Sequence, residues 1–299
     1  MTIDQSLLAR LPSLKLRART VVEGVLSGLH RSPYQGQSVE FAEHKEYAPG
    51  DELRHVDWKA FGKFDRYYVK RFEHETELTV LIAIDASGSM NYGSGALTKL
   101  DVAATLAAAL AHLLIRQQDA VGLALFRGEA LGYVPPRSGP GHLRVILDAL
   151  GALTGEGQVG LSRMAQGLAE RARRRSAIFA FSDLFDESPA GFDALTQLRL
   201  RRHDVALFHT LDPDELTLPF DDPTRFLSME GDGRALEAEP RELREAYLAE
   251  MGAFLAHTAA RAEERGCDYA RVCTADPLDR VLLEFLARRE RSLKAGRFA

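Results

Sequence analysis

Between Thr79 and Met90 the chain reads TVLIAIDASGSM, and three of its side chains, Asp85, Ser87 and Ser89, carry oxygen. A carboxylate and two hydroxyls spaced by two residues converge on one small hard cation when the backbone between them turns, and Gly88 permits a tight turn. Mg²⁺ favours such a site, with few carboxylates and several neutral oxygens or waters. Positioning falls to the run in front, Val80, Leu81, Ile82, Ala83 and Ile84, whose apolar, β-branched pattern predicts a strand buried on both faces. Open α/β sheets place ligands beyond the carboxyl ends of their strands, where Asp85 falls. Asp and Ser are also ordinary turn and capping residues, so a plain strand-to-helix turn is the competing reading.

From residue 78 onward, strand and helix patterns alternate, the signature of βαβ units around a parallel sheet. Helices are expected at Lys99–Arg116, His142–Leu150, Leu161–Arg174, Gly191–Leu200, Glu242–Arg265 and Leu278–Arg288. Strands are expected at Ala120–Phe126, Ala130–Val134 (stopping at Pro135-Pro136), Ala177–Phe181, Val205–Thr210 and Tyr269–Cys273. A Pro- and Asp-rich loop runs through Pro223, followed by a polar hairpin turning at Gly231-Asp232-Gly233. In front of all this, residues 5–30 carry leucines and valines at helical spacing, with Pro12 starting or kinking a helix. Residues 30–72 are loop-rich, charged and aromatic, and hold the only tryptophan, Trp58.

Other chemistries fit less well. Gly155–Gly160 matches G-x-G-x-x-G, but it follows a helix rather than a strand, so it does not present helix amides to a pyrophosphate. A phosphatase built on Asp85 as nucleophile needs a carboxyl acid two residues on, where Ser87 stands. There is no G-x-S-x-G elbow and no H-E-x-x-H spacing among the nine histidines. Metal-dependent hydrolysis is therefore the minor alternative to a binding role. The two cysteines, Cys267 and Cys273, cannot form a disulfide framework or a four-ligand zinc site, which fits a reducing cytoplasm. A net charge of −5 argues against a dedicated nucleic-acid binder. The longest apolar stretch, Val102–Ile115, is shorter than the ~20 residues a bilayer span needs.

Two patterns carry a family resemblance. Asp85-Ala86-Ser87-Gly88-Ser89 resembles the D-x-S-x-S that opens the metal-ion-dependent adhesion site of von Willebrand factor A domains. Glu46 through Trp58, read as E-Y-x-P-G-D-x-x-R-x-x-D-W, resembles the signature of the DUF58 family, which precedes such a domain. The residues concerned are Glu46, Tyr47, Pro49, Gly50, Asp51, Arg54, Asp57 and Trp58, either a structural clamp or a partner-binding surface. The resemblance implies an α/β fold with a von Willebrand A-like, mostly parallel sheet flanked by helices. It also divides the chain into residues 1–75, an N-terminal helical and loop-rich segment, and residues 76–299, the von Willebrand A-like domain with C-terminal helices.

The same resemblance implies Mg²⁺ or Mn²⁺ held by Asp85, Ser87 and Ser89, with Asp183, after the strand IFAFS, supporting the ion through water. The threonine ligand of those domains aligns with Val159, which has the shape of threonine without its oxygen. Two versions therefore stay open, a site completed by water and a site without a cation. DUF58 proteins usually accompany MoxR-type AAA+ ATPases, so the resemblance implies a non-enzymatic, chaperone-like adaptor that presents client proteins.

Overall fold

The computed structural model describes residues 8–11, 13–31, 44–46, 68–70, 79–172, 175–185 and 190–296. Chain packing divides it into two units, Met1–Gly28 with Leu78–Ala299, and Leu29–Glu77. In the second unit, strands β1 (His44–Glu46) and β2 (Tyr68–Lys70) pair antiparallel, with Lys45 opposite Val69. The sequence groups residues 1–75 together, whereas packing places the first 28 residues with the α/β unit. The reason is the apolar stripe of α1 (Leu14–Arg31): Leu14, Ala18, Val21, Val22 and Val25 are buried in the same cluster as the central sheet. Each buried valine there contributes roughly 1.5–3 kcal/mol of apolar transfer.

The α/β unit is organised by a six-stranded sheet. Its strands are β3 (Thr79–Asp85), β4 (Ala120–Arg127), β5 (Ala130–Arg137), β6 (Ser176–Ser182), β7 (Asp204–Leu211) and β10 (Asp268–Cys273). Their spatial order is β10-β7-β6-β3-β4-β5, all parallel except β5. The chain leaves β3 toward β4 and later returns to β3's other side as β6, so the order reverses between β3 and β6. That reversal is the topological switch point, where crevices open at carboxyl ends in sheets of this type.

Alternation along β3 explains its apolar run. Val80, Ile82 and Ile84 enter one core cluster, while Leu81 and Ala83 enter the cluster on the opposite face. Helix α2 (Lys99–Arg116) lies in the first cluster, with Ala103, Ala107 and Ala111 buried. It begins with a capping box: Thr98 Oγ1 accepts from Asp101 N at 3.1 Å, and Asp101 Oδ2 accepts from Thr98 N at 3.2 Å. Four more helices complete the layers: α3 (Pro140–Gly151), α4 (Leu161–Arg171), α5 (Ala190–Leu200) and the short α6 (Pro213–Thr217). A two-stranded hairpin follows, β8 (Thr224–Leu227) and β9 (Ala235–Ala238), and then α7 (Pro240–Glu264) and α8 (Leu278–Gly296). Phe285 of α8 reaches the sheet and packs on Phe208, ring centroids 4.6 Å apart.

Most boundaries shift by one to three residues from expectation, and three differences have a physical reason or a greater extent. β5 continues through Pro135-Pro136, because it is an edge strand and its missing N–H groups cost no ladder bond on the open side. The register of its partner shifts between Val121 and Leu123, and a Cβ at the intervening Gly122 would come within 2.8 Å of the Val134 carbonyl oxygen. The Pro- and Asp-rich loop contains α6, closed by an Asp212–Glu215 capping box. Helix α8 runs to Gly296 rather than ending near Arg288.

Candidate functional site

The site forms where β3 ends at the switch point. Ala86 N donates to Phe126 O at 2.7 Å, extending the ladder one residue past the strand. Ser87 N then donates to Asp85 Oδ1 at 2.9 Å, a side-chain turn that swings the two serines back over the carboxylate. A 3₁₀ turn, Gly88–Asn91, follows, and Ser87 Oγ and Ser89 Oγ stand 3.1 Å apart. The other Asp85 oxygen, Oδ2, accepts from Ser182 Oγ at 2.6 Å at the end of neighbouring β6.

The turn is clamped from two further sides. The loop before α4 lies against it: Gly88 N donates to Gly157 O at 2.8 Å, and Glu156 N to Ala86 O at 2.9 Å. Asn91 exchanges two bonds with Gly155, from Nδ2 to the carbonyl at 2.9 Å and from the glycine N to Oδ1 at 3.1 Å. The β8–β9 hairpin makes the second clamp. Glu230 at its tip accepts from Ser89 N through Oε1 at 3.0 Å, and a Cβ on Gly88 would sit only 1.8 Å from Met229 O. Gly88 is therefore required by close approach of the hairpin backbone, a stronger reason than turn formation.

Beneath the turn lies a buried ionic group. Lys99, at the start of α2, is fully buried, and its Nζ donates to Asp183 Oδ2 at 2.8 Å and Glu215 Oε1 at 2.6 Å. Burial pulls the Lys99 pKa down, but Asp183 and Glu215 more than offset it, so the ammonium is held above its ordinary value. Glu215 Oε2 in turn accepts from Asp212 N at 2.8 Å, and Asp212 Oδ2 accepts from Thr274 Oγ1 at 2.7 Å. Asp183 and Glu215 set two carboxylates against this one ammonium. Asp85 lies close enough to feel Asp183, and burial together with that charge pushes its pKa up to about 7, against the lowering effect of bonds from Ser182 and Ser87.

Of the residues singled out in the sequence, Asp85, Ser87 and Ser89 come together as a single oxygen-lined turn. Asp183 lies near enough to act on Asp85, and its Oδ2 is engaged by Lys99. Val159 is buried among Leu81, Ala83 and Leu161 and offers no oxygen. Glu46 closes β1, and Tyr47, Pro49, Gly50, Asp51, Arg54, Asp57 and Trp58 lie outside the described residues. The G-x-G-x-x-G stretch runs between α3 and α4 with no strand leading into it.

Asp85, Ser87 and Ser89 offer oxygen alone, the donor type that a small hard cation takes, and Glu230 Oε2 nearby is a buried oxygen with no hydrogen-bond partner among the described residues. No group of three or more His, Cys, Asp or Glu side chains among the described residues could hold a metal, so the serine hydroxyls are essential to such a site.

The strand order with its single antiparallel edge strand, and the oxygen-bearing turn at the switch point, define a von Willebrand A-like α/β domain. A family model described as "Protein of unknown function DUF58" matches residues 43–257, and the chain belongs to the DUF58 family. Uncharacterized proteins of Mycobacterium tuberculosis and Mycobacterium bovis are 28% identical to it over 220 residues, 72% of this chain and 68% of theirs. Among solved structures, an aerotolerance-related membrane protein of Bacteroides fragilis with multiple mutations to serine is 18% identical. It covers 70% of this chain and 97% of its own, with a TM-score of 0.48. BatB of Bacteroides thetaiotaomicron is 18% identical over 72% of this chain and 99% of its own, with a TM-score of 0.45. Among the described residues no helix is long and apolar enough to cross a membrane.

Proposed function

We propose that this protein is a non-enzymatic adaptor that binds other proteins through the carboxyl edge of its sheet, working with a MoxR-type AAA+ ATPase in protein maturation or complex assembly. The observation that carries the reading is the oxygen-lined turn at the switch point, with Asp85 buried beside the charge of Asp183, a repulsion that a cation would relieve. Asp85, Ser87 and Ser89 would hold Mg²⁺ or Mn²⁺, and Asp183, fixed by Lys99, would orient its waters. When bound, the cation supplies an open coordination position for a partner's carboxylate. The rest is done by this chain: Ser182 and the Ser87 amide fix both Asp85 oxygens, and the Gly155–Gly160 loop holds the turn rigid.

A second reading, the same adaptor without a cation, is favoured by Val159, which supplies no oxygen where the resemblance implies a ligand. Binding of a purified MoxR-type ATPase, measured in Mg²⁺ and in EDTA with wild type and Asp85→Ala, separates the two. The cation-dependent adaptor requires binding that EDTA and Asp85→Ala both weaken. Binding unchanged by either assigns the adaptor role to a cation-free surface, and no binding at all removes the ATPase partnership.

A further inference from the structure

We infer that Glu230 is an internal ligand of the Ser87-Gly88-Ser89 edge, and that an acidic segment of a partner protein binds by displacing the β8–β9 hairpin and taking its place; this rests on the reading of that edge as the interaction site. Two contacts made by adjacent residues define what the edge accepts. A backbone carbonyl, Met229 O, presses on Gly88 so closely that any side chain there would collide with it. The next residue, Glu230, sets its carboxylate on Ser89 N at 3.0 Å. The occupant is thus an extended or turning backbone carrying one glutamate, preceded by an apolar residue, as Met229-Glu230-Gly231 is.

The hairpin is shaped for presenting that glutamate. Glu230 N lies 3.3 Å from Ser228 Oγ, and the tip reverses through Gly231 and Gly233, both at positive φ. Arg234 N donates to Asp232 Oδ1 at 3.0 Å, and Ser228 N to Arg234 O at 2.9 Å, so the loop is ordered by its own bonds. The hairpin is a separate two-stranded sheet rather than an extension of the central one. Two-stranded hairpins are marginal alone, so one docked through its tip can leave without unfolding the domain. Finally, Glu230 Oε2 is buried without a hydrogen-bond partner among the described residues. The contact therefore leaves part of the carboxylate unsatisfied, which lowers the cost of exchanging it for another.

The test uses amide hydrogen exchange on the full chain and a peptide copying residues 224–238, with a second peptide carrying alanine at the position of Glu230 as control. Glu230→Ala is expected to raise exchange at the Ser89 amide and through the hairpin while leaving β3 and α2 protected. Gly88→Ala reaches the open state by a different route and is expected to do the same. Added in trans, the glutamate peptide is expected to restore protection at Ser89 in Glu230→Ala and to bind that variant about tenfold more tightly than wild type, because the internal competitor is gone. Equal binding to wild type and variant, or no protection at Ser89 by the glutamate peptide, overturns the inference. The experiment is run in Mg²⁺ and in EDTA. Hairpin docking and peptide exchange that persist in EDTA sustain the internal ligand while removing the cation from the proposed function.

Discussion

Replacing Lys99 with methionine removes the one ammonium from a site where it faces two carboxylates, at 2.8 Å from Asp183 and 2.6 Å from Glu215. Its side chain is fully buried, and those of Asp183 and Glu215 are only 5% and 18% exposed, so water cannot step in as it does at surface pairs. A surface pair would be worth less than about 1 kcal/mol. Breaking a buried one strands the remaining charges and costs about 3–5 kcal/mol. The stem of Lys99 is apolar and methionine keeps most of its volume, so the loss isolates charge rather than packing. Urea unfolding of Lys99→Met at pH 7.5, followed by far-ultraviolet circular dichroism and extrapolated linearly, should show that loss with an unchanged m-value. The sign of its pH dependence is fixed. Burial holds the Glu215 pKa above its ordinary value even beside Lys99, so the variant regains stability as pH falls and that carboxylate takes up a proton. Adding Asp183→Asn and Glu215→Gln to Lys99→Met should recover most of the loss at neutral pH, since no unpaired charge then remains. A single variant within about 1 kcal/mol of wild type would refute the reasoning and make the group a solvated surface cluster.

His209 is fully buried, with Nδ1 2.8 Å from Tyr269 OH, and burial lowers its pKa to about 4 against the opposing charge of Asp183. The unfolded chain takes up this proton near pH 6.5 while the folded chain does not, so stability falls by roughly 3 kcal/mol as pH drops from 6.5 to 4. Asp85, raised to about 7, acts in the opposite direction over much of the same range. The measurement is therefore the difference between wild type and His209→Asn, which should shrink as pH falls; a flat difference would show that His209 titrates normally. Val159→Thr restores an oxygen at the position where the resemblance implies a ligand. It should raise Mg²⁺ affinity at least tenfold, the scale on which supporting ligands tune metal sites. It should also lower stability by about 1–3 kcal/mol, because the hydroxyl enters an apolar cluster. Unchanged affinity would place that side chain out of reach of the turn.

The part of the candidate site written on one stretch of chain is legible in the sequence. An apolar β-branched run followed by Asp85, Ser87 and Ser89 announces a buried strand ending in oxygens, and these residues do converge. The sheet was legible for the same reason, since alternating strand and helix patterns leave few topologies. Lys99 was not, because a lysine at a helix start reads as solvent-facing, and only the folded chain brings Asp183 and Glu215 to it. Glu230 was not either: it meets Ser89 across 141 residues, and nothing in a polar hairpin says where its tip will land. Val159 carried its message in the type of residue alone, as an absent oxygen. A signal for α6 did exist, since Asp212-Pro213 followed by Glu215 is a helix-start pattern, but it was masked by the density of Pro and Asp around it.

The central claim, that the turn after β3 is a cation-assisted binding edge, is tested most directly by calorimetric titration of the metal-free protein with Mg²⁺ and Mn²⁺, with Asp85→Ala alongside. Saturable binding that is lost in Asp85→Ala is the expected result, with a fraction of a proton released per ion near pH 7, because Asp85 is only partly protonated there. Heat indistinguishable from dilution at millimolar cation, in a protein that is folded and has its hairpin docked, would contradict the claim and leave a site that recognises carboxylates through the Ser89 amide alone.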